Sequence, residues 1–588
     1  MTAKASDDVR AGARASAAAQ QSPNGNADVT EATPLIDPCA DEPLPATGPA
    51  EDTWIGQEDF EHLPPWRRPS VYWLLAPWFV FILAFGGTLV PKLNLILELI
   101  CKEYFDDKAA HDHDVVVLPV IPGGRNEQCQ IAPVQRAATE MTLIMSLVTG
   151  LLSAIIAPKL GHLSDLYGRT KWLAVSSAGG ITAEIITVLA AKFPGTINYR
   201  WIILGAAFEG LGGSFTAGSL LSHSYTSDCT PPSRRGVAIS YIHACLFSGL
   251  AIGPVLAGYF VEHTGSLVSI FYLALGCHIF FALFALLVMP ESVSRRRQLL
   301  SREKRAKELA EADLAHDGTW LAAVRHRNPF APLRILYQKQ PGAPPLFRRN
   351  VITLAAIDMV LMGAAMGAGT CIILYLEFVF KWGNLESSKY ISFTSTIRAS
   401  VLLVVFPLIN YVFRTRPAAA ARRQSAVRGP TMERNRGADA LDLWIIRAAL
   451  ASDVLGSMGY LFARSPAVFV AGGAMTAVGG LGSAMIQASL TKHVPPESVG
   501  RLLGAVGLLH GLSRVLSPLM FNGLYRATLE TFPGAIFGLL VALFSLSLLA
   551  SLGVRPHVYI PDHTDSSPER AETDPEGRRS TGEEERLL

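Results

Sequence analysis

The chain has 588 residues, 50% hydrophobic and only 17% charged, with a mean hydropathy of +0.30 and a formal net charge of +2. Soluble domains carry about 25% charged residues, so these figures argue against an ordinary soluble enzyme. The near-neutral balance hides segregation, acidic at the C-terminus and basic in particular loops, which points to membrane orientation and away from nucleic-acid binding.

Residues 1–70 are rich in Ala, Ser, Asp and Pro, open with no cleavable signal peptide, and are expected to be a disordered cytosolic tail. Apolar runs follow, each about 20 residues or longer and so able to span a bilayer as a helix. They fall near 72–97, 139–158, 172–192, 199–223, 237–261 and 267–289, then near 351–378, 391–413, 442–463, 467–491, 502–526 and 534–552. The expected architecture is an all-α membrane protein of two six-helix bundles, 71–292 and 350–555. A linker at 293–349 joins the bundles, and an acidic tail at 556–588 is expected to be disordered. Lys and Arg concentrate in 159–171, at Arg234 and Arg235, in 293–349, in the insert 414–441, and at Lys492 and Arg501. These are alternate connections, so the positive-inside rule puts them, and both termini, in the cytosol.

Between the second and third runs lies Gly161-His162-Leu163-Ser164-Asp165-Leu166-Tyr167-Gly168-Arg169-Thr170-Lys171. Gly161 and Gly168 permit a tight reversal, and Asp165 is placed to dock on the positive end of a neighbouring helix. The segment resembles the signature loop of the major facilitator superfamily, G-x-x-x-D-R/K-x-G-R/K-R/K, with Leu166 where that family prefers a basic residue. It is similar to loops of both the tetracycline-exporter-like branch and the proton-coupled folate transporters. The resemblance implies twelve helices, with Gly161, Asp165, Gly168, Arg169 and Lys171 as a gating loop. An internal repeat agrees with two related halves: Pro231-Pro232-x-x-x-Gly236 recurs as Pro495-Pro496-x-x-x-Gly500, 264 residues later, and Pro254 recurs as Pro518.

Gly249-x-x-x-Gly253-Pro254-x-x-x-Gly258 puts small residues on one helix face. It resembles the fifth-helix motif of the superfamily's antiporters, which favours export. Ionisable residues inside the spans are candidates for solute or ion handling: Glu140, Glu184, Glu209, His243, His278, Asp358, Arg398, Arg447, Asp453, His510 and Arg514. The resemblance makes helices three, six, nine and twelve peripheral, so Glu184, His278, Arg447 and Asp453 read as structural, the last two as a pair. Glu209, Arg398, Asp358 and Arg514 remain as coupling candidates, with Glu209 expected to face Arg398 across the cavity.

The expected function is secondary active transport of a small organic solute by alternating access, coupled to protons, in a monomer embedded in the lipid bilayer. The alternative is a non-transporting receptor or scaffold on the same fold. No phosphate loop or nucleophile motif is present, so neither catalysis nor a cofactor is expected. The seven cysteines lack metal-ligand spacing. Cys101 and Cys129 bracket an acidic outer loop on the oxidising side, where a bridge is expected, with two free thiols as the alternative. Glu31-x-x-x-Leu35-Ile36 and Glu583-x-x-x-Leu587-Leu588 fit acidic dileucine sorting patterns and tilt the expectation toward a vacuolar or endosomal membrane over the plasma membrane. The charged stretch 295–315 reads as a surface helix, with a solvated tether favoured over docking.

Overall fold

Apolar runs set off by Gly, Pro and charged turns fold into twelve helical passes among the described residues of a computed structural model. Those residues are 53–54, 57–111, 127–129, 131–314, 333–337, 344–380, 382, 384–424, 432–433, 435–529 and 531–559. The passes, called helices one to twelve, begin with Val71–His111, Ala132–Tyr167 and Arg169–Lys192. Helix four is broken into Trp201–Leu211 and Ser214–Asp228; helices five and six are Arg235–Thr264 and Val268–Leu287. Helix seven is Pro345–Val379, helix eight runs over 384–424, and helix nine is Ala440–Leu461. Helix ten is broken into Pro466–Gly479 and Leu481–His493, and helices eleven and twelve are Val499–Thr528 and Ala535–Leu552. Both 1–52, which holds the first dileucine pattern, and 560–588, which holds the second, lie outside the described residues.

Ten of these passes are long and apolar enough to cross a membrane, by length and composition, among the described residues. The other two fall short for visible reasons. Helix four is interrupted at Gly212–Gly213, where Gly213 has φ 85° and Ser214 φ 56°. Helix nine carries Asp442, Arg447 and Asp453. Several helices outrun their apolar cores, because a helix does not stop where the hydrocarbon does. Helix eight continues to Gln424, well into the expected insert, and contains two π-helical segments, Val401–Val405 and Tyr411–Thr415. Helices five and eleven have the same length and start 264 residues apart, the offset of the Pro-Pro-Gly repeat, and each contains its proline.

The expected reversal at Gly161 is corrected. Helix two runs straight through Gly161 to Tyr167, and the turn is made at Gly168 alone, whose φ of 98° suits glycine. Gly161 serves a different end: a Cβ there would stand 2.5 Å from the Gly500 carbonyl oxygen, so its absence lets helices two and eleven meet backbone to backbone. Gly249 and Gly253 of helix five approach Gly86 and Gly87 of helix one in the same way, whereas a Cβ on Gly258 would meet no other element within 4 Å among the described residues, so Gly258 is not needed for this packing.

The buried core is not symmetric through the thickness of the molecule. On the side of Gly168, one cluster joins Leu220, Ile239 and Ala244 of the first half to Leu402, Phe406, Met485 and Leu502 of the second. On the opposite side, among the described residues, each half has its own core. Ile96, Met141 and Ile202 form one, beside the Cys101–Cys129 disulfide with its Cα atoms 5.4 Å apart. Tyr375, Phe469, Phe521 and Phe537 form the other. The halves are therefore joined on one side and separately packed on the other.

Candidate functional site

The joined side is fastened by a latch of buried charges. The Arg169 guanidinium bonds Asp165 through Nη1 at 2.6 Å and Asp228 through Nε at 2.9 Å. Arg169 is 1% exposed. Asp165 also accepts from the backbone N–H of Gly500 at 3.2 Å and of Arg501 at 3.0 Å. A carboxylate on the first N–H groups of helix eleven is favoured by unpaired donors and helix dipole together. Glu291 does likewise for helix three, accepting from Arg169 N at 2.7 Å and Thr170 N at 3.1 Å. The linker helix Arg295–Leu314 is docked here, which corrects the expected tether. Arg302 donates to the Leu166 carbonyl at 2.9 Å, Arg297 bonds Asp228 at 3.4 Å, and Lys304 reaches Glu497 of the second half at 3.9 Å. Lys171 is exposed and stands apart from this network.

The second half has a counterpart with reversed signs. Asp442, fully buried, is bonded by Arg414 at 2.8 Å and by Lys492. Asp439 pairs with the same two cations at 2.7 and 3.5 Å, and it forms a reciprocal cap with Asp442 at the start of helix nine. Arg414 crosses to the first half, donating to the Ser233 carbonyl at 2.7 Å, while Arg235 donates to Asn435 Oδ1 at 3.1 Å.

Deeper in the helices, Ser214, at the break in helix four, donates to Glu209 at 3.0 Å and accepts from Arg514 of helix eleven at 3.0 Å. Glu209 and Arg514 are thus tied through one hydroxyl. The expected partnership of Glu209 with Arg398 is not formed. Arg398 lies over the Phe247 ring at 5.2 Å, and its buried Nε has no hydrogen-bond partner among the described residues. Arg447 and Asp453 do not pair either. Six residues separate them, which turns them to different faces of helix nine; Arg447 donates to the Ser551 carbonyl at 3.3 Å, and Asp453 abuts Gly479 at the break in helix ten. Asp358, fully buried, accepts from Ser483 at 2.7 Å, Gln487 at 3.3 Å and His510 at 2.9 Å. Glu140 is exposed, Glu184 is buried, and His278 packs against Phe81. A groove of about 620 Å³ on the outer flank of helices two and four holds none of these residues. Its lining is mostly apolar, with Val148, Trp201 and Leu204, and its one charged residue, among the described residues, is Arg200.

The sequence profile of the Major Facilitator Superfamily matches residues 116–423. The chain belongs to that superfamily. Within it, the chain is similar to the MFS-type transporter avaJ of Aspergillus versicolor, 28% identical over 496 residues, covering 84% of this chain and 90% of that one. It is also similar to the proton-coupled folate transporter of Bos taurus, 21% identical over 408 residues, covering 69% and 76%. Among solved structures, the human organic anion transporter MFSD10 shares the fold with a TM-score of 0.58 at 17% identity, over 83% of this chain and 100% of that one. This is an integral, multi-pass membrane protein on the major facilitator fold.

Ser214, His223, Asp228, Arg414, Asp439 and Asp442 were not singled out by sequence reasoning, and Lys492 was read only as a charge that orients the chain in the membrane. One signal was available: at the 264-residue offset Asp228 falls opposite Lys492, and His223 opposite Gln487. Extending the repeat outward from its prolines would have picked out both pairs.

Proposed function

We propose that the protein is a secondary active transporter of a small organic solute, driven by protons through alternating access, with export favoured by its fifth-helix motif. The observation that carries this reading is the one-sided union of the halves, with Glu209, Ser214 and Arg514 half-way along the helices behind the latch. The positive-inside distribution makes the latched side cytosolic. Unfastening Asp165 from helix eleven while the far sides come together exchanges one accessible face for the other. Glu209 is the coupling carboxylate. Protonating it weakens its attraction to Arg514 through Ser214 and frees that cation for an anionic group on the solute, beside Arg398, which Glu209 does not hold. The bovine relative named as proton-coupled supports the choice of ion. A receptor or scaffold on this fold has no use for such charges, and no observation favours it. The dileucine patterns support a vacuolar or endosomal membrane.

The test is reconstitution into proteoliposomes with an imposed pH gradient, screened over a metabolite panel. Glu209→Gln imitates the protonated form with little change in volume. Gradient-driven accumulation is expected to fail, while solute exchange at equal pH survives. A variant that still concentrates solute using protons removes Glu209 from the coupling role.

A further inference from the structure

Between the Glu209 group and the latch, helix four carries a buried histidine, His223. It sits about 13 Å along the helix from Ser214 at 1.5 Å per residue, is 1% exposed, and neither ring nitrogen has a hydrogen-bond partner among the described residues. A buried imidazole left this way forfeits hydrogen bonds it would make in water, so its retention calls for a reason. Its ring lies flat on that of His243 of helix five, centroids 4.9 Å apart and planes 4° apart. His243 in turn holds the Ile239 carbonyl through Nδ1 at 3.2 Å. The titratable groups acting on His223 are His243 and His510 of helix eleven; those acting on His243 are His510 and Asp358 of helix seven. His510 is bound to Asp358 at 2.9 Å. Two of these groups belong to each half, and the cluster sits where the halves share their core.

We propose that His223, His243, His510 and Asp358 form one proton-binding site spanning the two halves, a station between Glu209 and the cytosol with His223 as the carrier. Asp358 keeps His510 paired. Two parallel imidazoles at 4.9 Å cannot both be charged without strong repulsion, so the stack takes a single proton. A proton on His223 is a buried cation facing His243 and His510 with no carboxylate of its own, which favours parting the halves on the latched side and admitting water. His223 then returns the proton to that water, and the neutral stack lets the halves close. The cycle leaves the protein unchanged and moves one proton inward. This rests on the proton-coupled reading, but its test needs no solute.

The full-length protein in lipid nanodiscs is spin-labelled at Lys171→Cys and Arg416→Cys, exposed positions on helices three and eight, with the other unpaired cysteines replaced by serine. Distance distributions are recorded from pH 8 to pH 5. Acidification is expected to shift the population toward longer distances on this side. His223→Gln is expected to abolish the shift, whereas Glu209→Gln leaves it in place. His243→Phe keeps a ring on the stack but removes the second imidazole, so the opening on acidification should persist with His223 as the remaining carrier. A distribution that does not change with pH, or loss of the response in a folded His243→Phe, overturns the proposal, and so does a wild-type response in a folded His223→Gln. A failed solute assay with this pH response intact counts against the transport reading alone.

Discussion

The two latches solve one problem with opposite charge. In the first half the buried cation Arg169 is held between two carboxylates, Asp165 and Asp228, and the contact across to the other half is made by a carboxylate on backbone N–H groups. In the second half, one fully buried carboxylate, Asp442, is held between the cations Arg414 and Lys492, and the contact across is made by a guanidinium on a carbonyl oxygen. The internal duplication has conserved the position of the brace, with Asp228 and Lys492 at matching places, but not its sign. The sign changes what each brace can do. A carboxylate on the N-terminus of helix eleven gains from the whole helix dipole and loses that gain as the helix moves away. Arg414 faces a neutral carbonyl and gains far less from proximity. The first latch is therefore the one that responds to separation of the halves, and the second chiefly holds helices eight, nine and ten together.

Removing the central charge of the second latch is the largest expected break. Asp442→Ala leaves Arg414 and Lys492 buried, with only the more exposed Asp439 between them. Breaking a buried pair from one side costs about 3–5 kcal/mol. Thermal unfolding of the detergent-purified variant should show the loss, and wild-type stability would mean that Asp439 alone satisfies both cations.

A smaller and more specific change is expected at Asp165→Asn. The amide oxygen still accepts from helix eleven, and Arg169 keeps Asp228, so the fold stands. What goes is the charge on the helix dipole, a difference of about 1–2 kcal/mol in the closed arrangement, which is roughly tenfold in its population relative to the open one. Cys229 is a free, buried thiol just after Asp228, and its rate of maleimide labelling reads that opening. The rate should rise by about tenfold in Asp165→Asn. An unchanged rate would show that the helix-eleven contact does not keep this side shut.

The helices were legible in the sequence because a spanning helix announces itself by length and apolarity. What was illegible was rotation and partnership. Gly161 read as a turn because a glycine within a polar segment usually is one; its real use depends on helix eleven, far away in the chain. Glu209 and Arg398 were matched by depth, and depth does not say which way a side chain points; Ser214, an ordinary-looking serine at a helix break, decides the pairing with Arg514. The docking of the linker helix was missed for the same reason, since its partners are backbone carbonyls and buried carboxylates supplied by other elements.

The smallest expected effect sharpens the comparison most, because it separates two residues that the sequence treats alike. Arg169 and Lys171 are both basic, both belong to the signature loop, and both were read as gating residues. Two positions on a helix are about 200° apart, so when Arg169 faces Asp165 and Asp228, Lys171 must face away, and it is exposed. Exposed charges outside any network contribute within about 0.5 kcal/mol. Lys171→Gln should therefore leave both thermal stability and the Cys229 labelling rate at wild-type values. Arg169→Gln, which leaves Asp165 and Asp228 without their shared cation, should change both. If Lys171→Gln opened the latched side as Asp165→Asn does, the latch would be working through the summed positive charge of the loop, and the buried geometry would lose its claim as the cause.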